Sequence, residues 1–174
     1  YRSHDVALLL FTSTCAALSG LLRAPTRPRC FKSTRVNTSR ALQAVDWYTR
    51  HMGCEPVTDR NDAASCYGVE VVFVPQITTG TSQGTGIDHI GFSVADLPAK
   101  MAELEDVGVR GSGVRLQRND DGSTWRDVPG LFKIAFVFDP WGTRIEMVED
   151  PETLGFHHVA VSYTHLPLPP SALV

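Results

Sequence analysis

A histidine and a glutamate inside apolar strand sequence are the residues of this chain best suited to chemistry. His89 lies in the run Ile-Asp-His-Ile-Gly-Phe-Ser, and Glu146 lies in the run Arg-Ile-Glu-Met-Val. A polar side chain that faces inward from such a strand must be hydrogen-bonded, neutralised or bound to a metal, because leaving it bare costs about 2 kcal/mol or more. Imidazole nitrogen and carboxylate oxygen suit Zn, Ni, Mn or Fe(II) as ligands. The sequence therefore predicts that the chain is built around a polar site.

The strand signature around His89 returns near the end of the chain, in the run His-His-Val-Ala-Val-Ser that begins at His157. Superposing the two runs aligns His158 with His89, which makes them an internal repeat. Neighbouring side chains of a regular strand point to opposite faces, so we expect at most one of the two adjacent histidines to face a shared site. The alignment favours His158, and the alternative is an ordinary strand with no role at the site.

The other two polar residues also have interpretations without a function. His89 would be a buried histidine that is hydrogen-bonded to the backbone. Glu146 shares a strand face with Arg144, its second neighbour along the chain, and would form a salt bridge with it. The occurrence of both residues, together with the repeat, favours a shared site over these alternatives.

The composition argues against several classes of partner. The chain has 174 residues and a formal net charge of −3, which gives no electrostatic reason to expect nucleic acid or an anionic membrane. No apolar run approaches the roughly 18 residues of a membrane-spanning helix, so we expect no membrane partner. The expected partner is a small-molecule substrate. The four cysteines lack C-x-x-C spacing, and we predict free thiols at Cys15, Cys30, Cys54 and Cys66.

Periodicity and turn residues predict the elements that position these side chains. We expect a helix at 41–53, strands at 55–60 and 69–74, and a flexible linker at 78–86. The His89 strand follows, and then a helix that begins after an Asp96 N-cap and ends at Gly108. A strand at 109–116, a polar loop and a final hairpin complete a βαβββ order. The hairpin joins strands at 131–138 and 143–149 through the turn Asp-Pro-Trp-Gly.

The composition divides the chain into four regions. Residues 1–40 resemble a targeting leader or a non-native segment, so the expected location is cytoplasmic, or organellar if this segment is a transit peptide. Residues 41–86 form a first, abbreviated unit, and residues 87–150 form a second. Residues 151–174 begin a third unit that stops early in a proline-rich tail, which we interpret as foreign.

Three runs together resemble the vicinal oxygen chelate superfamily, which includes glyoxalase I, extradiol dioxygenases, and the fosfomycin and bleomycin resistance proteins. They are Asp-His-Ile-Gly-Phe-Ser-Val-Ala-Asp-Leu at 88–97, Val-Pro-Gly-Leu-Phe at 128–132 and Asp-Pro-Trp-Gly-Thr-Arg-Ile-Glu at 139–146. The resemblance covers residues 41–161. It implies an α+β fold in which paired βαβββ modules form an open, barrel-like mixed sheet, with the first module abbreviated here.

The resemblance also implies a function. It assigns His89 and Glu146 as ligands of a divalent metal ion, with His158 as the corresponding histidine of a third module. We therefore expect a metal-dependent enzyme that acts on a small oxygenated metabolite by lyase, isomerase or extradiol dioxygenase chemistry, with Zn, Ni, Mn or Fe(II) as cofactor. The alternative is a metal-free module that sequesters a small molecule, as bleomycin resistance proteins do. A fragment that needs a partner copy would form a homodimer.

The first unit departs from the superfamily pattern. Gly53 and Gly108 are predicted to close the two helices, and moving His89 back by the interval between these glycines places it on Thr34. Threonine is not expected to bind the metal there. The unit also lacks a predicted final strand with a glutamate. A four-ligand site like that of glyoxalase I therefore cannot be built from these residues.

Overall fold

The computed structural model of the chain describes residues 33–130 and 132–162. Within these ranges the chain forms two compact units, one over 33–77 and the other over 78–162. Each unit contains one β-sheet and one principal α-helix, which confirms the predicted α+β class. No helix of the described part is long and apolar enough to cross a membrane.

The first unit is a four-stranded sheet with one helix. Its elements in chain order are β1 (Ser33–Thr38), α1 (Ala41–Met52), β2 (Glu55–Pro56), β3 (Ala63–Cys66) and β4 (Val69–Pro75). The strand order in the sheet is β1-β4-β3-β2, with β1 parallel to β4 and the other pairs antiparallel.

One face of this sheet forms the core of the first unit. Alternate residues of β1 are buried, and the buried Val36 pairs with the buried Phe73 of β4. The Tyr48 ring of α1 packs 4.9 Å from the Phe73 ring. The helix ends at Gly53, whose left-handed φ of 68° suits glycine as a C-terminal cap. The predicted helix over 41–53 is therefore confirmed.

The second unit contains a six-stranded sheet. Its elements are β5 (Ile87–Val94), α2 (Leu97–Val107), β6 (Arg115–Leu116), β7 (Trp125–Asp127), β8 (Lys133–Phe138), β9 (Arg144–Glu149) and β10 (Gly155–Val161). The strand order is β10-β5-β9-β8-β6, and β7 pairs with the first half of β8. Strands β5 and β9 are parallel, and the other pairs are antiparallel.

The two faces of β5 and β9 have different roles. Ile90 pairs with Ile145 and Phe92 pairs with Met147, and all four side chains are buried on one face. The opposite face carries His89 and, on β9, Glu146. Packing therefore fixes the register of the two strands, and the register fixes where the polar side chains lie.

The predicted start of α2 and the predicted final hairpin agree with the structure. The Asp96 side chain accepts a hydrogen bond from the Ala99 N–H at 2.9 Å, as expected of an N-cap. In the turn between β8 and β9, the Asp139 carboxylate accepts hydrogen bonds from Trp141 N–H at 3.0 Å and Thr143 N–H at 2.7 Å. Leu131 of the predicted first hairpin strand lies outside the described residues.

The start of the first unit differs from the prediction. Strand β1 lies inside the region 1–40 that we interpreted as leader-like, and it pairs with β4 along its whole length. Its sequence, Ser-Thr-Arg-Val-Asn-Thr, is too short and too polar to stand out from its surroundings. The four-residue β3 was also missed, because Ala-Ala-Ser-Cys has little intrinsic strand preference. The unit thus contains all five elements of a βαβββ module, in shortened form.

The predicted equivalence of Gly53 and Gly108 was wrong. Gly108 has a helical φ of −61°, and one wider helical turn follows it to Ser112. The left-handed residue that ends this segment is Gly113, with a φ of 79°. The interval between Gly53 and Gly108 therefore does not align the two modules.

Two further predictions need correction. Cys54 and Cys66 are joined by a disulfide, whereas we predicted free thiols. Their sequence separation of 12 matches no motif, but Glu55 and Pro56 of β2 pair with β3, which brings the two sulfurs together. The segment 78–86 belongs to the second unit and is not a free linker. Ser82 fastens it there, because its hydroxyl accepts from the Arg144 N–H at 2.9 Å.

Candidate metal centre

Three polar side chains predicted from the sequence meet on the second sheet. His89 on β5, Glu146 on β9 and His158 on β10 each offer one ligand atom, and these atoms all lie within 4.8 Å of one another. Oε2 of Glu146 lies 3.0 Å from Nε2 of His89 and 2.9 Å from Nε2 of His158. The three side chains are less than one tenth exposed. Three neighbouring strands therefore build one compact buried triad.

Gly91 provides the space for this arrangement. It pairs with Glu146 on one side and with His158 on the other, so it lies at the centre of the triad's sheet face. A Cβ atom at Gly91 would lie 2.2 Å from Cε1 and 2.3 Å from Nδ1 of His158, which no real contact allows. A glycine inside a strand often marks such a close approach. The His158 ring can lie against β5 only because this position has no side chain.

The outer nitrogen of His89 is held by a charged pair. Nδ1 of His89 lies 2.7 Å from Oδ1 of Asp88, and the same oxygen lies 2.9 Å from a terminal nitrogen of Arg144. The other oxygen, Oδ2, accepts the Gly84 N–H at 2.6 Å. These contacts fix the His89 ring with Nε2 directed at Glu146. The predicted alternative of an ion pair between Glu146 and Arg144 is wrong, because Arg144 pairs with Asp88.

His158 reaches the triad through an irregularity in β10. Phe156 pairs with Phe92 and His158 pairs with Gly91, so β10 has one more residue than β5 between these pairs. The extra residue is His157, and this β-bulge interrupts the alternation of side chains. Nδ1 of His157 lies 2.7 Å from Nδ1 of His158. Strand β10 is thus not regular here, and of the two histidines only His158 belongs to the triad.

One contact of the triad is close but lacks hydrogen-bond geometry. Nε2 of His158 is buried and has no partner of suitable geometry, although Oε2 of Glu146 is only 2.9 Å away. The two atoms are within the distance of an ion pair. Nε2 of His158 also lies close to the ligand atoms of both His89 and Glu146, which is the placement that a metal ligand requires.

The triad and its neighbours shift one another's protonation. Burial raises the pKa of Glu146, but the contacts of His158 and His89 outweigh it and lower the pKa to about 2. Burial lowers the pKa of His89, and the hydrogen bonds to Glu146 and Asp88 outweigh this effect and raise it. Burial and the neighbouring His158 both lower the pKa of His157. The carboxylate of the triad is therefore ionised at neutral pH.

A cavity of about 1050 Å³ shares walls with the surroundings of the triad. Most of its lining comes from the polar loop and β7, over residues 117–127, and the rest includes Phe136 and Arg144. The centres of the Phe136 and His89 rings are 5.4 Å apart. The Arg144 guanidinium stacks over Phe136, 3.7 Å from the ring centre. The cavity therefore reaches two residues that contact His89 or its partner Asp88, although no triad residue lines it.

Sequence comparisons give no relative of this chain. No protein-family profile matches it, and no curated protein sequence matches it. Solved structures do match. A member of the glyoxalase/bleomycin resistance protein/dioxygenase superfamily from Sphaerobacter thermophilus is 18% identical with a TM-score of 0.50, covering 69% of this chain and 96% of that one. The chain has the vicinal oxygen chelate fold.

A second structure with the vicinal oxygen chelate fold matches over a longer part of the chain. The fosfomycin resistance protein FosX from Listeria monocytogenes is 10% identical with a TM-score of 0.51, covering 76% of this chain and 92% of that one. Identities this low show the vicinal oxygen chelate fold and nothing finer. Conclusions about chemistry must therefore come from the triad itself.

Sequence reasoning found the three triad residues but missed Asp88, Gly91 and His157. A signal existed for each of them. Asp88 is an acid directly before an inward histidine, Gly91 is a glycine inside a buried strand, and His157 is adjacent to His158. The structure brings the three predicted ligands together, and their binding of a metal ion stays a prediction.

Proposed function

We propose that the chain is a divalent-metal enzyme that holds its metal ion through His89, Glu146 and His158. The observation that carries this proposal is the convergence of one ligand atom each from His89, Glu146 and His158 in a single buried cluster. Tetrahedral ligands about 2.1 Å from one ion are about 3.4 Å apart. The contacts of 3.0 Å and 2.9 Å at Glu146 Oε2 are somewhat shorter, so a small outward movement of the side chains would admit an ion.

Proton positions around His89 support the same proposal. The Asp88 carboxylate can only accept, so Nδ1 of His89 carries the proton between them. In a neutral His89, Nε2 then presents a lone pair to a Glu146 carboxylate that also has only lone pairs. A cation between these atoms removes the repulsion. A carboxylate behind a ligating histidine is also a common arrangement in metal sites.

Two histidines and one carboxylate leave positions open for oxygen atoms of a substrate. A divalent ion bound there polarises a carbonyl or enediolate and stabilises developing negative charge. The chain's own residues hold the ligands in place, exclude water from the triad and form the walls of the adjoining cavity. We therefore propose a small oxygenated metabolite as substrate.

The same ligand set is compatible with two reaction classes. They can be distinguished by the metal ion that each requires. Lyase or isomerase chemistry needs only a Lewis acid such as Zn, Ni or Mn. Extradiol-type ring cleavage needs Fe(II) and molecular oxygen, for which two histidines and a carboxylate are a common ligand set. Activity with Zn or Ni in the absence of oxygen supports the first class, whereas oxygen consumption that requires Fe(II) supports the second.

Metal titration of purified protein tests the proposal. We expect one ion per chain in wild type and no tight binding in His89→Ala, Glu146→Gln or His158→Ala. Matched controls are His51→Ala on α1 and Glu55→Gln on β2, which should bind the ion like wild type. Equal binding by wild type and all three triad variants would contradict the metal centre.

A metal-free binding module is the second candidate. The raised pKa of His89 favours it, because a protonated His89 can donate to Glu146 and satisfy part of the triad without an ion. This candidate predicts no stoichiometric metal, and small-molecule binding that is unchanged in His89→Ala and Glu146→Gln. The same purified variants therefore decide between the two functions.

A further inference from the structure

The bulge in β10 places a second histidine behind the proposed ligand His158. Because His157 is the extra residue of the bulge, its ring lies on the same side of the strand as the His158 ring, with ring centres 5.0 Å apart. The two Nδ1 atoms are 2.7 Å apart, which is a short hydrogen-bond distance. The Phe132 ring contacts His157 edge-on, with ring centres 6.3 Å apart. In a regular strand the two histidines could not meet in this way.

Counting protons assigns a direction to the contact between the two histidines. A hydrogen bond between two imidazole nitrogens needs one proton, carried by one ring and accepted by the other. If Nε2 of His158 is to present its lone pair to a metal ion, the proton of the neutral ring must be on Nδ1. Nδ1 of His158 is then the donor, and Nδ1 of His157 is the acceptor.

The arrangement mirrors the one at the other histidine. Asp88 accepts from Nδ1 of His89 and directs its Nε2 at Glu146, just as His157 would accept from Nδ1 of His158. Each ligand histidine thus has its own partner, supplied by the residue before it in the sequence. Such outer partners fix the tautomer and the ring orientation of a ligand.

We infer that His157 is a positioning residue, which accepts the Nδ1 proton of His158 and thereby holds its Nε2 towards the metal. This inference rests on the proposed metal-centre function. It gives the β-bulge a role, because only the inserted residue brings the second imidazole within hydrogen-bond distance. It also gives the two adjacent histidines different roles: His158 binds the ion, and His157 orients His158.

Titration with Co²⁺ alone tests the inference in three variants. His157→Leu removes the acceptor and keeps an apolar side chain, so we expect the affinity for Co²⁺ to fall by about 10–100-fold. His157→Asn offers an amide oxygen near the position of the lost nitrogen and should restore most of the affinity. His157→Phe keeps an aromatic ring without an acceptor and should behave like His157→Leu. Thermal unfolding of the metal-free variants checks that each one folds.

Proton NMR of the Co²⁺ form gives a readout that a purely structural role would not change. Each histidine bound through Nε2 contributes one strongly shifted, exchangeable Nδ1 proton, so wild type should show two such signals. His157→Leu should lose one of them to fast exchange with water, and His157→Asn should retain both. If His157→Leu binds Co²⁺ like wild type and retains both signals, the inference is overturned.

The proposed function fails in a different way from this inference. Absence of Co²⁺ binding in wild type, or binding that does not depend on His89 and Glu146, would overturn the metal centre and the inference with it. If Co²⁺ binding depends on the triad but its affinity is the same in wild type and in every His157 variant, only the inference about His157 is overturned. Should His157→Leu not fold, the pair His157→Asn and His157→Phe provides the same comparison of an acceptor with a ring that has none.

Discussion

The two units have the same strand order, but only one of them carries a polar triad. The order β1-β4-β3-β2 of the first unit corresponds to β5-β9-β8-β6 in the second, with β1 parallel to β4 and β5 parallel to β9, and the second unit adds β7 and β10. Aligning Ala41, the first residue of α1, with Leu97, the first residue of α2, places Ser33 at the position of His89. Ser33 is exposed, whereas His89 is buried. A βαβββ module therefore does not need a ligand at this position in order to form.

The neighbouring strands show the same contrast. Arg35 pairs with Val72 in the first unit, at the positions where Gly91 pairs with Glu146 in the second. A valine thus stands in the place of the carboxylate, and an arginine side chain fills the place that Gly91 leaves empty for His158. The buried faces, in contrast, are mainly apolar in both units, although β1 contributes the buried Thr34 and Thr38. The fold depends on the apolar face, and the chemistry depends on the opposite one.

The largest effect is expected when a side chain is added at Gly91 in the second unit. We expect Gly91→Ala to weaken metal binding by more than about 100-fold, because the added methyl group overlaps the His158 ring and removes a ligand rather than an outer partner. The strand can accept alanine, since Gly91 does not have the positive φ found at other glycines. Metal titration measures the loss.

A matched change in the first unit is the control for Gly91→Ala. Arg35→Ala alters the corresponding position of β1 and should leave metal affinity unchanged. If Gly91→Ala binds metal like wild type while remaining folded, the triad geometry described here is incorrect.

Acid should destabilise the second unit through Glu146. Its pKa is about 2 in the folded protein and 4.5 in its ordinary state, so the carboxylate stabilises the fold above pH 4.5, and this stabilisation is lost as the pH falls towards 2. The contribution is about 3 kcal/mol. His89 has a raised pKa and acts in the opposite sense, contributing below pH 6.5 and losing its contribution as the pH rises. Urea unfolding of chelator-treated protein between pH 7 and pH 3 measures the net change.

The variant Glu146→Gln isolates the carboxylate in this acid experiment. We expect it to lose stability less steeply than wild type below pH 4.5, while Glu55→Gln should follow the wild-type curve. Parallel curves for wild type and Glu146→Gln would show that Glu146 is not held as a buried anion.

Reduction of the disulfide should destabilise the first unit without affecting the metal centre. The bond between Cys54 and Cys66 closes a loop with a sequence separation of 12 residues. Removing a link across a loop of that length costs about 3 kcal/mol in the chain-entropy account. We expect the double variant Cys54→Ala/Cys66→Ala to show earlier loss of hydrogen-exchange protection in α1 and β4.

Metal affinity is the second readout for the disulfide variant. It should equal that of wild type, because all three triad residues lie in the second unit. A parallel loss of metal binding would mean that the two units are energetically coupled, and the contrast drawn above would no longer hold.

The smallest expected effect is on the stability of the first unit when its charged residue Glu70 is replaced. Glu70 in the first unit corresponds to Arg144 in the second, but its ion pair with Arg60 is more than one third exposed on both sides. Exposed pairs of this kind contribute little to stability. Unfolding curves of Glu70→Gln and wild type should therefore overlay. In contrast, Arg144→Gln removes the guanidinium partner of the largely buried Asp88, which keeps only His89 and the Gly84 N–H, and should shift the curve measurably.

Local sequence patterns were sufficient to predict which three residues form the buried triad. Polar residues in apolar strands identified His89 and Glu146, and the repeat identified His158, because burial makes such side chains costly unless they have partners. The helices were predictable from their caps and periodicity. The α+β class followed from the order of these elements.

Features that depend on contacts between distant residues could not be predicted in this way. The alternation rule assumes a regular strand, and nothing in the sequence indicates the inserted residue in β10 that brings His157 within 2.7 Å of His158. The partnership of Cys54 with Cys66 depends on the pairing of two very short strands. Strand β1 is recognisable only through its pairing with β4, since its own sequence is polar at nearly every position.

The central claim is that His89, Glu146 and His158 bind one divalent ion. X-ray absorption spectroscopy of the Zn-loaded protein tests it most directly, because imidazole ligands give characteristic outer-shell scattering. We predict a nitrogen and oxygen first shell at about 2.0–2.1 Å with outer-shell scattering from two imidazole rings. His158→Ala should reduce this scattering to one ring. A first shell without imidazole scattering, or one that His158→Ala leaves unchanged, would contradict the account.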